Sequence, residues 1–186
     1  DTAKKIILFP ARITSWKGQL EFIDVIKKID TQNIFVLFAG DTKNESYTKL
    51  VRDKIKQNNL EGVCKILGSV NQDEMRSLYQ IANLSVSFPL KAEGFGRTVS
   101  ESLYSKTPVL AFDYGGVKNQ LVNLSEIFKA KPQDYQALPA KIEKLLSLSE
   151  DQKKEALEDV QSFIESNFSK INMVNQYLKL YESIKS

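Results

Sequence analysis

The sequence predicts a doubly wound α/β domain, in which helices cover both faces of a parallel β-sheet and extra helices follow at the C-terminal end. Short runs rich in β-branched and aromatic residues alternate with amphipathic stretches along the 186 residues. The short runs are continuously apolar, as in strands that are covered on both faces. Because β and α segments alternate, consecutive strands are expected to lie parallel and to be joined by crossover helices.

The individual elements follow from these runs in chain order. The predicted strands are Lys5–Pro10, Ile34–Gly40, Cys64–Gly68, Leu84–Phe88, Val109–Asp113 and Ile127–Lys129. The predicted helices are Lys17–Ile29, Ser46–Asn58, Gln72–Ile81, Arg97–Ser105, Gln133–Leu148, Asp151–Ser166 and Ser169–Ile184. Asn71 stands three residues before Glu74, which resembles a capping box at a helix start. We interpret residues 1–186 as a single domain, with about 169–186 as its C-terminal helix.

The last predicted helix and the segment before it share one apolar face. Its apolar residues recur every three or four positions and are Ile164, Phe168, Ile171, Val174, Leu178, Tyr181 and Ile184. We expect this face to pack on this domain or on a neighbouring one, in preference to lying on a membrane surface.

The composition excludes several classes of function. The formal net charge is only +3 and the lysines are spread along the chain, so nucleic acid is not an expected partner. The single cysteine, Cys64, can form neither a disulfide nor a thiolate metal cluster within one chain. Because the chain has no histidine, it cannot use a histidine triad, a histidine metal site or histidine acid–base catalysis.

Targeting signals are also missing from the sequence as given. It has no apolar run near twenty residues and no signal peptide, so a cytoplasmic setting is predicted. The chain begins with Asp1 rather than Met, which suggests that it was cut from a longer protein.

The most informative segment is Glu93-Gly94-Phe95-Gly96 with the helix-like run that follows it. Ligands of doubly wound sheets bind outside the carboxyl ends of the strands, and this turn follows a predicted strand. Glycines let backbone amides approach a ligand, and the amides of a first helical turn lack intrahelical partners. The turn therefore suits an anion with sugar-like hydroxyls nearby. Glu93 and Glu101 are expected to make separate hydrogen bonds to one ligand rather than to form an acid–base pair.

A second group of charges, Arg12 and Lys17, follows the first strand and belongs to the same edge of the sheet. A guanidinium offers a fork of donors to phosphate oxygens, and an ammonium offers a mobile point charge. A diphosphate would suit this pair. The loop matches neither the Walker A motif nor the Gly-x-Gly-x-x-Gly fingerprint, which argues against P-loop ATPases and NAD dehydrogenases.

The order of the motifs resembles one known family. The motifs are Arg12 with Lys17-Gly18, Ala39-Gly40-Asp41, Ile66-Leu67-Gly68-Ser69-Val70, Glu93-Gly94-Phe95-Gly96 with Glu101, Pro108-Val109 and Gly115-Gly116. Together they resemble the C-terminal domain of retaining nucleotide-sugar glycosyltransferases of family 4, which have the GT-B fold of two Rossmann-like domains. The resemblance covers roughly residues 4–131. Many relatives carry a glutamate a few residues after the two glycines, whereas this chain has Lys118-Asn119-Gln120, so the function of that loop stays open.

The resemblance implies catalytic roles for Arg12, Lys17 and Glu93. Arg12 and Lys17 would hold the donor diphosphate and stabilise charge on the departing nucleoside diphosphate, with no metal and no other cofactor. Glu93 would contact the hydroxyls of the donor sugar.

The resemblance also implies substrate-binding roles. The amides of Gly94, Phe95 and Gly96 would line the sugar and phosphate. The amides of Arg97 and Thr98 would reach the distal phosphate. Glu101 would bind the ribose hydroxyls, and the backbone near Gly68, Ser69 and Val70 would meet the base.

The implied activity is hexosyl transfer from a UDP, GDP or ADP sugar, with retention, to a glycan or lipid-linked acceptor. Such enzymes often build bacterial polysaccharide or lipopolysaccharide. The N-terminal domain that supplies most of the acceptor site is absent from this chain, so the chain alone is predicted to transfer no sugar. Peripheral contact of the full-length enzyme with the inner face of the cytoplasmic membrane stays open. The alternatives are a non-catalytic nucleotide-binding or interaction module and a sugar-nucleotide epimerase of the same fold.

Overall fold

Six parallel strands form one sheet in the computed structural model, which describes residues 4–185. The strands are β1 (Lys5–Pro10), β2 (Ile34–Ala39), β3 (Cys64–Gly68), β4 (Leu84–Ser87), β5 (Val109–Phe112) and β6 (Lys129–Ala130). Their spatial order is β3-β2-β1-β4-β5-β6, so the strand order reverses between β1 and β4. The doubly wound parallel sheet predicted from the sequence is confirmed, and the point of reversal is where such sheets bind ligands.

Helices connect the strands and continue beyond the last one. They are α1 (Gln19–Ile26), α2 (Glu45–Gln57), α3 (Gln72–Ile81), α4 (Arg97–Tyr104), α5 (Val117–Gln120), α6 (Leu138–Ser147), α7 (Glu150–Ala156), α8 (Val160–Phe168) and α9 (Lys170–Lys185). The predicted capping box at α3 is confirmed, because Asn71 Oδ1 accepts from the amide of Glu74 at 2.9 Å and Glu74 Oε2 accepts from the amide of Asn71 at 2.7 Å.

The core lies on both faces of the sheet, which explains why the strands read as continuous apolar runs. Along β1, Ile7 and Phe9 belong to the larger cluster, whereas Leu8 belongs to a second cluster on the opposite face. Aromatic rings run through the larger cluster: the ring centroids of Phe9 and Phe22 are 5.3 Å apart, and those of Phe22 and Phe88 are 5.6 Å apart. This packing joins β1 to β4 and so fixes the two loops that follow these strands.

The C-terminal part of the chain differs most from the prediction. The predicted strand Ile127–Lys129 is a 3₁₀ turn over Glu126–Phe128 followed by the two-residue β6. The predicted helix Asp151–Ser166 is two helices, because the buried Leu157 leaves helical geometry (φ −118°) after α7. This break redirects the chain, so that α8 packs against α4.

Two helix starts and one additional helix also differ from the prediction. The first helix begins at Gln19 rather than Lys17, because Gly18 before it is left-handed (φ 86°). The sixth begins at Leu138 rather than Gln133, since Gln133 has a positive φ of 63° in the preceding turn. The short helix α5 occupies a segment that had been interpreted as a loop; its single turn is too short for a periodic apolar pattern.

The apolar face of the C-terminal segment is buried in α8 and exposed in α9. Ile164 is 5% exposed, whereas Ile171 and Ile184 are 74% and 71% exposed. Packing of the predicted face on this domain is therefore confirmed for α8 only. No helix within residues 4–185 is both long enough and apolar enough to cross a membrane.

Candidate functional site

An open cleft of about 570 Å³ lies outside the carboxyl ends of β1 and β4. It is lined by Ala11, Arg12, Trp16, Lys17, Ala92, Glu93, Gly94, Phe95, Gly96, Arg97, Thr98 and Glu101. The structure thus brings together the two cations, the glycine turn and both carboxylates that the sequence singled out. They meet because neighbouring parallel strands end at the same edge of the sheet.

Lys17 and Glu93 form an ion pair at the inner end of this cleft. Lys17 Nζ donates to Glu93 Oε1, and the two side chains are only 13% and 12% exposed. Lys17 Nζ also lies 4.3 Å from the centroid of the Trp16 ring, in a cation–π contact. The other carboxylate oxygen, Glu93 Oε2, is buried and has no hydrogen-bond partner within the described chain. A buried acceptor without a donor is costly, so this oxygen is ready to accept from a ligand hydroxyl.

The β1–α1 loop that carries Arg12 is held in place from two sides. The side-chain amide of the fully buried Gln19 donates to the carbonyl oxygen of Arg12 at 2.8 Å. The amide of Leu90 donates to the carbonyl oxygen of Trp16 at 2.7 Å, which ties this loop to the one after β4. Gly18 stands directly before α1, at the end of this loop. Its backbone is left-handed, and a Cβ there would lie 2.2 Å from the carbonyl oxygen of Phe88, so only glycine fits.

The turn of residues 94–96 presents free amides to the cleft. Gly96 is the left-handed N-cap of α4 (φ 81°, ψ 58°). The backbone N–H groups of residues 94–98 donate to no other group of the described chain. Free amides at a helix N-terminus, where the helix dipole is positive, favour negatively charged ligand oxygens.

Glu101 occupies the outer end of the cleft, and both of its carboxylate oxygens are bound. Arg97 Nη2 donates to Oε1 at 3.0 Å, and the hydroxyl of Tyr79 donates to Oε2 at 3.1 Å. The same hydroxyl lies 3.3 Å from the carbonyl oxygen of Thr98. Tyr79 is 2% exposed, and burial together with the charge of Glu101 raises the pKa of its hydroxyl well above the ordinary value. Tyr79 is therefore neutral and able to donate throughout the physiological pH range.

A segment behind the turn, residues 115–120, supports it and is called here the backing segment. The amide of Gly116 donates to the carbonyl oxygen of Glu93 at 2.9 Å. A Cβ on Gly116 would lie 2.1 Å from the carbonyl oxygen of Gly94, so the backbones of the backing segment and the turn are in close contact. This segment contains the residues to which the sequence assigned no function.

Part of the predicted base-binding region lies apart from the cleft. Ser69 and Val70 line a separate depression beside α3, and Gly68, with φ 80°, accepts from the amide of Gly40 at 2.9 Å. A further cavity of about 450 Å³ lies at the amino end of the sheet, next to Lys106 and Lys153. None of the predicted site residues lines that cavity. A base role for residues 68–70 stays a prediction.

Sequence reasoning missed four residues of the site: Trp16, Gln19, Tyr79 and Gln120. Gln19 and Gln120 are fully buried polar side chains, and burial of a polar side chain has no signature in a single sequence. Tyr79 follows the apolar pattern of α3 and so resembles a core residue. Trp16 could have been found, because an aromatic residue next to a candidate lysine suggests a cation–π contact.

Electrostatic effects extend from Glu93 to a tyrosine behind it. The hydroxyl of Tyr114 donates to the carbonyl oxygen of Pro89, and burial together with the charge of Glu93 raises its pKa. Within residues 4–185, no three or more Asp, Glu, Cys or His side chains are grouped as metal ligands would be.

Comparison with known proteins identifies the family. Residues 1–159 match the family model of Glycosyl transferases group 1. The chain belongs to this glycosyltransferase family. A crystal structure of a glycosyltransferase from Rickettsia africae ESF-5 has a TM-score of 0.89 and 29% sequence identity to this glycosyltransferase chain, covering 100% of it and 49% of that protein. The doubly wound sheet thus matches the Rossmann-like fold of glycosyltransferases with the GT-B architecture.

Two further relatives resemble this glycosyltransferase chain. The trehalose synthase of Thermococcus litoralis is 28% identical over 192 residues, which is 98% of this chain and 45% of that protein. HepE of Anabaena, crystallised with UDP and glucose, has a TM-score of 0.83 and 22% identity, covering 97% of this chain and 48% of that one, and supports the fold alone. The chain spans about half the length of each of these three proteins.

Proposed function

We propose that this chain is the donor-binding, C-terminal part of a retaining and metal-independent hexosyltransferase of family 4. One observation supports the proposal above all others. Three cations, five free backbone amides and two carboxylates from separate segments line a single cleft at the reversal point of the sheet. Donors for phosphate oxygens and acceptors for sugar hydroxyls are the two chemistries that a nucleoside-diphosphate sugar needs.

The diphosphate of the donor would lie between Arg12, Lys17 and the amides of residues 94–98. Negative charge develops on the leaving diphosphate when the bond to the sugar breaks, and preformed donors stabilise that charge without reorganising. Lys17 is paired with Glu93 in this structure, so the diphosphate must replace Glu93 as the partner of the Lys17 ammonium group. This exchange would free both oxygens of Glu93 for the sugar hydroxyls.

The two carboxylates would bind different parts of the donor. Glu93 Oε2 is buried and unpaired near the glycine turn, where the sugar would lie. Glu101, held by Tyr79 and Arg97 at the outer end, would accept from the ribose hydroxyls. The base would then extend toward residues 68–70. HepE, a relative in fold, was crystallised with UDP and glucose, which is consistent with such a donor.

The acceptor side of the reaction belongs to the rest of the enzyme. Because the chain spans about half of its relatives, we propose that an N-terminal domain closes over this cleft and binds a glycan or lipid-linked acceptor. The product would be a bacterial polysaccharide or lipopolysaccharide, made in the cytoplasm or at the inner face of the membrane. This chain alone would bind the donor weakly and transfer no sugar.

Calorimetric titration tests the proposal. The chain is titrated with UDP, GDP and ADP and with their glucose, galactose, N-acetylglucosamine and mannose conjugates. We expect a preference for one diphosphate and its conjugates, lost in Lys17→Ala and in Glu101→Ala. Lys49→Ala is the matched control, because that lysine is 76% exposed on α2 and pairs only with Asp53 among the described residues.

Two outcomes would contradict the proposal. If no nucleotide binds at millimolar concentration, the interaction-module alternative is favoured. If the unaltered chain transfers sugar without any added partner, the assignment of the acceptor site to another domain is wrong. Saturating nucleotide at about a hundredfold excess over Kd should stabilise the fold by about 2.7 kcal/mol, which thermal unfolding can measure independently.

A further inference from the structure

The backing segment contacts the glycine turn residue by residue. Its Gly116 binds the carbonyl oxygen of Glu93 and packs on Gly94. A Cβ on Gly96 would lie 2.4 Å from Cγ2 of Val117, so the backbone of the turn also lies directly on α5. The turn thus has a rigid neighbour on the side away from the cleft.

Gln120 makes the one side-chain hydrogen bond between the backing segment and the turn within the described chain. It is 1% exposed, and its Nε2 donates to the carbonyl oxygen of Phe95. Its other amide atom, Oε1, is buried without a partner. A buried polar group destabilises the fold unless it is fully hydrogen-bonded. A glutamine here therefore stabilises the fold less than an apolar side chain of the same size would. The bond to Phe95 therefore suggests a functional reason for this side chain.

The bond fixes the direction of one peptide unit. The peptide bond between Phe95 and Gly96 is trans, so the carbonyl of Phe95 and the N–H of Gly96 point in opposite directions. Because Gln120 holds the carbonyl toward the backing segment, the N–H of Gly96 is turned away from it. Gly96 lines the cleft, and its N–H donates to no acceptor in the described chain.

We propose that Gln120 is a positioning residue that aims the free amide of Gly96, within the glycine turn, at the donor diphosphate. It does so through the Phe95 carbonyl and without touching the ligand. Glycines leave the backbone of the turn with many accessible conformations. A hydrogen bond from outside the turn is therefore needed to keep the N–H of Gly96 directed at the cleft. On the other side, the ring of Phe95 packs on Phe168 of α8 at 5.6 Å, so this residue is held at both its carbonyl and its side chain. The inference rests on the proposed function.

Two substitutions of nearly unchanged size test the inference. Gln120→Met removes the donor and keeps the volume, whereas Gln120→Glu buries a carboxyl group that is neutral there and can still donate its proton to the Phe95 carbonyl. UDP, GDP and ADP are titrated into each variant, together with uridine, guanosine and adenosine. For the diphosphate that the unaltered chain prefers, we expect about tenfold weaker binding in Gln120→Met, the usual effect of one lost hydrogen bond. The loss should be smaller in Gln120→Glu, because its neutral carboxyl group supplies a replacement donor. Affinity for the matching nucleoside should stay within about twofold, because the nucleoside has no phosphate for these amides.

Asn58→Leu is the matched structural control. The side-chain amide of Asn58 also donates to a backbone carbonyl, that of Lys54 at 2.8 Å, but at the end of α2 that leads to the amino edge of the sheet. We expect this variant to lose stability without changing diphosphate affinity. In the unliganded protein, the amide of Gly116 donates to the carbonyl oxygen of Glu93, and its hydrogen exchange should be faster in Gln120→Met and unchanged in Asn58→Leu.

The outcomes separate the inference from the function on which it rests. If the unaltered chain binds none of the three diphosphates, the proposed function fails and this inference with it. If the unaltered chain binds one of them and Gln120→Met binds it equally well, only the inference is overturned. Equal losses for the diphosphate and its nucleoside would show a general structural effect and would also overturn it.

Discussion

The two carboxylates of the cleft differ in how completely they are bound. Glu93, at the inner end, is 12% exposed, shares one oxygen with Lys17 and leaves the other without a partner. Glu101, at the outer end, is 38% exposed, yet both of its oxygens accept hydrogen bonds. The buried carboxylate is therefore the incompletely bonded one, whereas the more exposed carboxylate is held by two partners.

This difference indicates what each end of the cleft is prepared to do. At the inner end, the cation and the anion neutralise each other until a ligand separates them, so binding there must replace one strong interaction by others. At the outer end, Tyr79 fixes the carboxylate in advance, which reduces the entropy lost when a ligand binds. Substitutions at the two ends should therefore affect stability and affinity in different proportions.

The largest effect is expected from Lys17→Met. Methionine keeps the stem of the side chain against Trp16 but leaves the charge of Glu93 buried and unpaired. Breaking a largely buried ion pair from one side costs about 3 kcal/mol. Urea unfolding should show this loss, and diphosphate binding should disappear.

The double variant Lys17→Met with Glu93→Gln separates stability from binding. Removal of the buried charge should restore most of the free energy of unfolding, while diphosphate binding should remain lost. The unaltered chain, the single variants Lys17→Met and Glu93→Gln, and the double variant form a double-mutant cycle that measures the coupling of the pair. Unfolding of Lys17→Met at the same urea concentration as the unaltered chain would mean that the ion pair contributes nothing to stability.

A smaller effect is expected from Tyr79→Phe, which removes one hydroxyl from the outer end. Glu101 keeps Arg97 and partial solvent contact, so we expect a loss of about 1 kcal/mol in the free energy of unfolding. Nucleotide affinity should fall about fivefold, since the carboxylate loses its fixed orientation. Tyr181→Phe is the matched control, because Tyr181 is 61% exposed on α9. An unchanged affinity in Tyr79→Phe would show that Arg97 alone orients Glu101.

The same variant changes the dependence of stability on alkaline pH. Burial raises the pKa of Tyr79 in the folded chain above its unfolded value near 10, so the folded state holds this proton more tightly. The resulting stability is fully present below about pH 10 and is lost as the pH rises toward the folded pKa. In this pH window, the free energy of unfolding of Tyr79→Phe should decrease less steeply with rising pH than that of the unaltered chain. Tyr181→Phe should show the same pH dependence as the unaltered chain.

The inner end could be predicted from the sequence more fully than the outer end. Continuous apolar runs gave the strands of the sheet. The rule that ligands bind beyond the carboxyl ends of parallel strands placed Lys17 and Glu93, 76 residues apart, at the same edge, although it did not predict their ion pair. Nothing in the order of residues indicated that Tyr79 would donate to Glu101, because a buried tyrosine on an amphipathic helix has the same pattern as a core residue. The hydrogen bond between Gln120 and Phe95 was hidden for the same reason, since its acceptor is a backbone carbonyl that every residue possesses.

The smallest effect is expected from Arg97→Gln. The family resemblance implies a role for the backbone amide of Arg97 and none for its side chain. Its side chain is 78% exposed and pairs with Glu101 in an i, i+4 arrangement on α4. Exposed pairs of this kind contribute less than about 0.5 kcal/mol, so the free energy of unfolding should hardly change. Diphosphate affinity should fall about twofold at low salt and not at all at about 1 M salt, where such charges are screened. A tenfold loss that persists in high salt would mean that Arg97 binds phosphate directly, and the outer end would then depend on charge as strongly as the inner end does.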